Sequence, residues 1–239
     1  MQSIFKRYEK KYIITREQYA ALEDALSRRM KPDSFGEYLV QNLYFDTDGW
    51  DVVRASIEKP LYKEKMRLRC YGEMSQESEL FLEIKKKYKG MVYKRRMAIP
   101  AKILPAGSVL SVVSANASQI AREFDFYMKT NTVSEKVYIS YHRAAFVGIA
   151  DRDLRVTFDT DIRFRLDVLD YSHPGDGHFI LPRDKMLMEV KTPGGMPLWV
   201  ARTLCENKIF PTTFSKLGVC YTNHIFKKFE EERTVRVSD

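Results

Sequence analysis

Apolar and polar residues alternate along most of this chain, and the alternation breaks into short runs separated by turn residues. A period of two sends successive side chains to opposite faces, so each run reads as a β-strand. The expected strands are residues 7–15 (RYEKKYIIT), 38–46 (YLVQNLYFD), 61–71, 79–87, 91–99, 136–148, 154–165 and 187–192 (LMEVKT). Tyr88-Lys89-Gly90 and Asp151-Arg152-Asp153 supply turns, and Pro193-Gly194-Gly195 stops the last strand. Helical spacing takes over between groups of strands. Thr15 with Gln18 makes a capping-box pattern, Tyr19, Leu22 and Leu26 follow at helical intervals, and Lys31-Pro32-Asp33 ends that helix. A short helix follows DTDGW. Residues 100–130 read as helical, most clearly at SQIAREFDFYM. Two more helices are expected at 197–207 and about 219–232, with a frayed tail from about 230. Eight strands joined mostly by hairpins, with flanking helices, predict an antiparallel α+β or closed-barrel protein forming one domain over 1–239.

The two faces of these strands differ sharply. Arg67 and Arg69 oppose Met66 and Leu68; Glu83, Lys85 and Lys87 oppose Leu82 and Ile84; Lys94 and Arg96 oppose Tyr93, Met97 and Ile99. Glu9 and Lys11 oppose Tyr12 and Ile14, Arg143 follows Tyr141, and Arg155, Thr157 and Asp159 oppose Leu154, Val156 and Phe158. Glu189 and Lys191 oppose Met186, Met188 and Val190. One charged face is usually a solvated face. About seven in succession, dominated by Arg and Lys, allow a second arrangement. The apolar faces pack outward on helices while the charged faces line a barrel. Such an interior is costly unless it is wet and holds a polyanion, because desolvated cations repel one another. The few acids would then pair with cations or hold a divalent metal through oxygen. Lys86, Lys89 and Arg95 fall outside this face and read as solubility charges. His142 falls on the apolar side, and Ser215 sits where a helix cap is expected.

Composition narrows the partners. Lys and Arg total 40 against 32 acids, a net charge of +8, which favours anions such as phosphates or nucleic acid. Three scattered cysteines without a C-x-x-C pair argue against zinc or redox motifs and fit a reducing compartment. No run of about 20 apolar residues is present, and the charged N-terminal stretch has no apolar signal core. A cytoplasmic protein is therefore expected. Neither a G-x-G-x-x-G nor a P-loop motif occurs.

Motifs in order along the chain then resemble a known group. EKK at 9–11 and EIK at 83–85 resemble the Glu-x-Lys signature of the triphosphate tunnel metalloenzymes, and RLR at 67–69 resembles their Arg-x-Arg strand. KYIIT, MRLRCYG, FLEIKKK, VYKRR, YHRAAF, LRVTFDTDI, LMEVK and FSK extend the similarity, within that group, to the VTC-type polyphosphate polymerase domain. The resemblance implies an antiparallel eight-stranded tunnel that holds triphosphate with a divalent metal, Mn2+ or Mg2+. It implies phosphate contacts from Lys11, Arg67, Arg69, Lys85, Lys94, Arg96, Arg143 and Arg155. It implies Glu189 as a metal ligand, with Glu83 or Asp159 beside it, and Ser215 and Lys216 acting near the tunnel mouth. Polymerase members can lack the first acid of the EKK motif, so the role of Glu9 stays open between a hydrolase and a polymerase. The implied activity is transfer of the terminal phosphate of ATP to a growing polyphosphate chain. A tripolyphosphatase or nucleoside triphosphatase, and a non-catalytic binder of polyphosphate or nucleic acid, are the alternatives. Nucleic acid is not expected as a partner, since the cations lie at period two on strands and not on a basic helix. The inositol-phosphate-sensing domain and membrane anchor of eukaryotic polymerases are not expected in these residues, so translocation would need a membrane-protein partner.

Overall fold

A hydroxyl and a carboxamide three residues apart start the first helix. Thr15 accepts from the Gln18 backbone N–H at 3.2 Å, and the Gln18 side chain accepts from the Thr15 N–H at 3.1 Å. This is the expected capping box, and it opens α1 (Arg16–Ser27) directly after β1 (Tyr8–Thr15). The computed structural model describes residues 8–58, 60–89, 91–104 and 109–227. The chain continues through β2 (Met30–Asp46), α2 (Asp51–Ile57), β3 (Tyr62–Tyr71), β4 (Glu79–Tyr88) and β5 (Met91–Pro100). Helices α3 (Val109–Ser114) and α4 (Gln119–Asn131) follow, then β6 (Ser134–Gly148), β7 (Arg155–Arg165), β8 (His178–Phe179) and β9 (Lys185–Thr192). Helix α5 (Leu198–Glu206) and the short α6 (Lys216–Cys220), which runs on into a π-helical turn (Tyr221–Ile225), complete the described elements.

The fold is α+β and its sheet is antiparallel. Strand order is β1-β9-β7-β6-β2-β3-β4-β5, with β8 paired to β7, so β1 and β5 are the end strands of this order. Several expected boundaries shift. β2 begins eight residues before the expected 38, and Pro32 lies within it. Extended backbone suits the fixed φ of proline, which is tolerated near the start of a strand. The last helix begins at Lys216 and not at 219, because the Ser215 hydroxyl accepts from the Gly218 N–H at 3.2 Å and caps it. β8 was not expected. It follows Gly177, whose φ of 110° and 2.3 Å approach of a would-be Cβ to the Phe164 carbonyl leave room only for glycine. The expected frayed tail from about 230 and the Gly90 of the β4–β5 turn lie outside the described residues.

The chain divides into two compact units. The first comprises the described residues of 1–39 with Tyr141–Arg163 and Leu181–Phe214. Its core joins Tyr12 and Ile14 of β1, Val156 and Phe158 of β7, and Met188 and Val190 of β9 to Leu22 and Leu26 of α1 and Val200 and Leu204 of α5. The two helices thus cover the apolar face of β1-β9-β7. The second comprises Val40–Ser140, Phe164–Ile180 and the described residues from Ser215 on. There Leu43, Phe45, Met66, Leu68, Leu82, Ile84 and Ile99 pack under Val113 of α3 and Phe124 and Met128 of α4. Burying each such side chain contributes about 1.5–3 kcal/mol. Because strand faces alternate, helices on one face leave the other to the charged residues.

Candidate anion-binding faces

In the second unit the charged face is set by register. Arg67 lies directly across from Glu83, and Glu83 directly across from Arg96, so one row spans β3, β4 and β5. Glu83 is 2% exposed. Arg67 Nε and Nη2 donate to its Oε2 at 2.9 and 2.7 Å. Arg96 Nε donates to its Oε1 at 2.7 Å, and Lys94 Nζ lies 2.5 Å from the same oxygen. Arg69 Nη1 stands 3.9 Å from Oε2. One buried carboxylate thus gathers four cations.

Neutral groups fix the guanidiniums from the other side. Arg67 donates to the Tyr44 hydroxyl at 3.1 Å, and Arg69 donates to Asn42 Oδ1 at 2.9 Å. Arg69 and Arg96 both donate to the Tyr71 hydroxyl, at 3.2 and 3.0 Å. Arg96 also lies over the Phe81 ring at 4.5 Å, a cation–π distance. The next row is Lys65, Lys85 and Lys94, directly opposite one another on the three strands. Like charges in such positions repel. Lys65 Nζ donates to Ser215 Oγ at 3.3 Å.

These surroundings move the local proton affinities. Burial alone would raise the pKa of Glu83, but the charges of Arg67, Arg69 and Lys94 outweigh it and hold the carboxyl well below its ordinary range. Burial likewise pushes the Tyr71 phenol up, and Arg69 and Arg96 outweigh that and lower it. Lys94 is lowered by burial, an effect that Glu83 opposes and Arg96 and Arg67 reinforce.

The first unit carries its own charged face. Lys11 of β1 lies across from Glu189 of β9, which lies across from Thr157 of β7. Lys11 Nζ is 3.1 Å from Glu189 Oε1 and 3.5 Å from Glu9, and donates to the Phe214 carbonyl at 3.0 Å. Lys191 Nζ is 3.1 Å from Glu189 Oε2. Arg143 of β6 grips Asp159 with two parallel bonds, at 2.6 and 2.7 Å, and Asp159 is fully buried. Arg155 is 3.7 Å from Asp33.

Each predicted cation on a strand therefore lies on a charged face, and Glu9 joins Lys11. The three predicted metal carboxylates do not fit a resident divalent ion. Both oxygens of Glu83 face cations, both of Asp159 take Arg143, and those of Glu189 face Lys11 and Lys191. Among the described residues no group of three or more His, Cys, Asp or Glu is placed to hold a metal. Ser215 caps α6, and Lys216 is that helix's first residue. Lys86 and Arg95 are half-buried and pair with Glu64 at 3.5 Å and Glu123 at 3.2 Å, so they are not simply solubility charges. His142 is exposed, not buried on the apolar side. Sequence reading missed Asn42, Tyr44, Lys65 and Tyr71. Asn42 and Tyr44 share the β2 face that the expected period-two pattern assigns, which was the available signal.

Comparison with known proteins bears on these faces. The model of the VTC domain family matches residues 6–224. The PH1819 protein from Pyrococcus horikoshii OT3 has a similar structure at 11% identity, with 92% of this chain and 100% of that chain covered and a TM-score of 0.51. That similarity concerns the fold alone. A Vibrio parahaemolyticus protein described as a candidate adenylate cyclase reaches a TM-score of 0.47 at 11% identity, covering 91% of this chain and 98% of its own. A chain of the Schizosaccharomyces pombe Mediator head module reaches 0.43 at 10% identity, covering 91% and 95%. Both scores are too low to infer a shared fold. No curated protein matches the sequence significantly.

Proposed function

Because this chain belongs to the VTC domain family, we propose that it is an ATP:polyphosphate phosphotransferase. In this reading it moves the terminal phosphate of ATP onto the end of a polyphosphate chain. The observation that carries the reading is the Arg67–Glu83–Arg96 row. Arg67, Arg69, Lys94 and Arg96 surround a single buried carboxylate, and Lys65 and Lys85 lie in the neighbouring row with Lys94. That is far more positive charge than one carboxylate balances, arranged in the forked geometry that suits phosphate oxygens.

Phosphoryl transfer leaves a protein little covalent work, so positioning and charge stabilisation supply the rate. Arg67, Arg69 and Arg96, held by Glu83 and the two tyrosines, present fixed N–H donors and need little reorganisation when charge develops. Lys65 and Lys85, in the row beside them, act as point charges on the rest of the anion. Lys11, Arg143 and Arg155 are assigned the same work on the first unit's face. The γ-phosphorus of ATP loses its bond to the ADP oxygen and gains one to the terminal oxygen of the chain. A divalent ion enters this scheme with the nucleotide, as part of the substrate.

Glu9 favours a second reading. It completes the EKK motif, whose first acid polymerase members can lack, and stands 3.5 Å from Lys11. Incubating the purified chain with ATP and Mn2+ and resolving the products on a gel stained for long polyanions separates the two. A ladder with ADP release supports the polymerase; free phosphate without a ladder supports hydrolysis; neither product refutes both. Arg67→Ala is expected to abolish turnover while the fold survives.

A further inference from the structure

The sequence pattern offers Glu83 as a metal ligand, but its surroundings give it another part. Its carboxylate is almost wholly enclosed, at 2% exposure, while the side chains of Arg67, Arg96 and Lys94 are 25%, 38% and 44% exposed. A ligand arriving from solvent therefore meets the cations first and reaches the carboxylate last. An anion is drawn to that order of charges, and a divalent cation is repelled by it. Both carboxylate oxygens also already accept from cationic donors at 2.5–2.9 Å. An ion bound there would have to displace an arginine that a tyrosine holds from the far side.

We propose that Glu83 is a built-in counterion and not a metal ligand, so that the β3-β4-β5 face binds triphosphate with no divalent ion present. The proposal rests on the reading of the ligand as a triphosphate and adds how that ligand is received. Without Glu83 four cations would crowd one region of the sheet, at a cost that rises as they are desolvated. With it, that crowding is relieved, and the face keeps a surplus of positive charge for the ligand. Glu83 thus lowers the cost of the cation cluster and tempers its pull on an anion, acting through Arg67, Lys94 and Arg96.

Two opposed charge effects make the role measurable. As a metal ligand, Glu83 would matter only when metal is present. As a counterion, it weakens metal-free anion binding by its own negative charge. The experiment is calorimetric titration of the full chain with inorganic tripolyphosphate, in EDTA and again in Mn2+, at low and high salt. The wild type is expected to bind in EDTA. Glu83→Gln, with its fold checked by thermal melting, is expected to bind about tenfold more tightly in EDTA at low salt, with the gain shrinking as salt screens it. The change caused by Mn2+ should be the same in both proteins. A folded Glu83→Gln that loses metal-free binding, or loses the Mn2+ effect, overturns the proposal. Lys94→Gln covers the case in which Glu83→Gln does not fold, because Lys94 is exposed and its loss leaves Arg96 as the cation on Oε1. Spin resonance of added Mn2+ should detect no new site in that variant, and a new site overturns the proposal. Wild type that binds only with Mn2+ refutes this inference and leaves the proposed function standing. Wild type that binds under neither condition refutes both.

Discussion

Removing the Asp159 carboxylate tests whether the Arg143–Asp159 pair holds up the first unit. Asp159 is fully buried and the Arg143 side chain is only 13% exposed, so water compensates little for the loss of either charge. The two parallel bonds, at 2.6 and 2.7 Å, are the strong form of this interaction. Replacing a buried pair as a whole with apolar groups is often neutral, but deleting one partner strands the other charge and costs about 3–5 kcal/mol. Asp159→Ala should therefore lower the melting temperature by roughly 6–20 °C, at about 2–4 °C per kcal/mol for a chain of this size. The double replacement Arg143→Met with Asp159→Leu should recover most of that loss. Each unit carries one of the chain's two tryptophans, Trp199 in the first and Trp50 in the second. Fluorescence of Trp199 in a Trp50→Phe background reports the affected unit. A loss below about 1 kcal/mol for Asp159→Ala, or a double variant no better than the single, would refute the assignment.

Further outcomes follow from local geometry. Thr15→Ala removes half of the capping box of α1 and should cost about 1 kcal/mol, read by urea denaturation. Of the three free thiols, only exposed Cys205 should react with a thiol reagent in the native protein. Cys70 is raised by burial and Cys220 is pushed up to about 12, so both should react only on unfolding. Because the folded pKa of Glu83 lies below its unfolded value, its contribution is complete above the unfolded value of about 4.3. Stability should fall as the pH drops below that value toward the folded pKa. Glu83→Gln should flatten this acid limb, as followed by melting temperature against pH.

Much of the fold could be read from periodicity because period two and helical spacing are local signals. Thr15 announced α1, and the Arg67/Met66 alternation told which side of β3 faces helices. What periodicity could not give is register. Nothing in EIKKK says that Glu83, and not Lys85, lies across from both Arg67 and Arg96; that depends on where the two hairpins turn. Register decides which cations the carboxylate gathers, since the same carboxylate one row along would face Lys65 and Lys94. The helix start that Ser215 caps was misplaced for a related reason. Its signature is a hydroxyl three residues before a glycine N–H, which resembles a site motif as readily as a helix start.

The two rows of the second unit also differ in kind. In the Arg67–Glu83–Arg96 row, each guanidinium is held by a carboxylate on one side and a phenol on the other, so its direction is set before any ligand arrives. The adjoining Lys65–Lys85–Lys94 row has ammonium groups in place of guanidiniums; Lys94 reaches across to Glu83, and Lys65 donates to the Ser215 hydroxyl. Fixed forks suit the part of an anion where geometry must be exact, and mobile point charges suit a part whose position varies. An enzyme that handles one small triphosphate has little use for the second kind. A chain that lengthens by one phosphate at each turnover must shift by one unit each time, and a row of lysines accommodates that shift without rebuilding the arginine row. Under the proposed polymerase reading, the arginine row would hold the reacting end of the anion and the lysine row the part that lengthens.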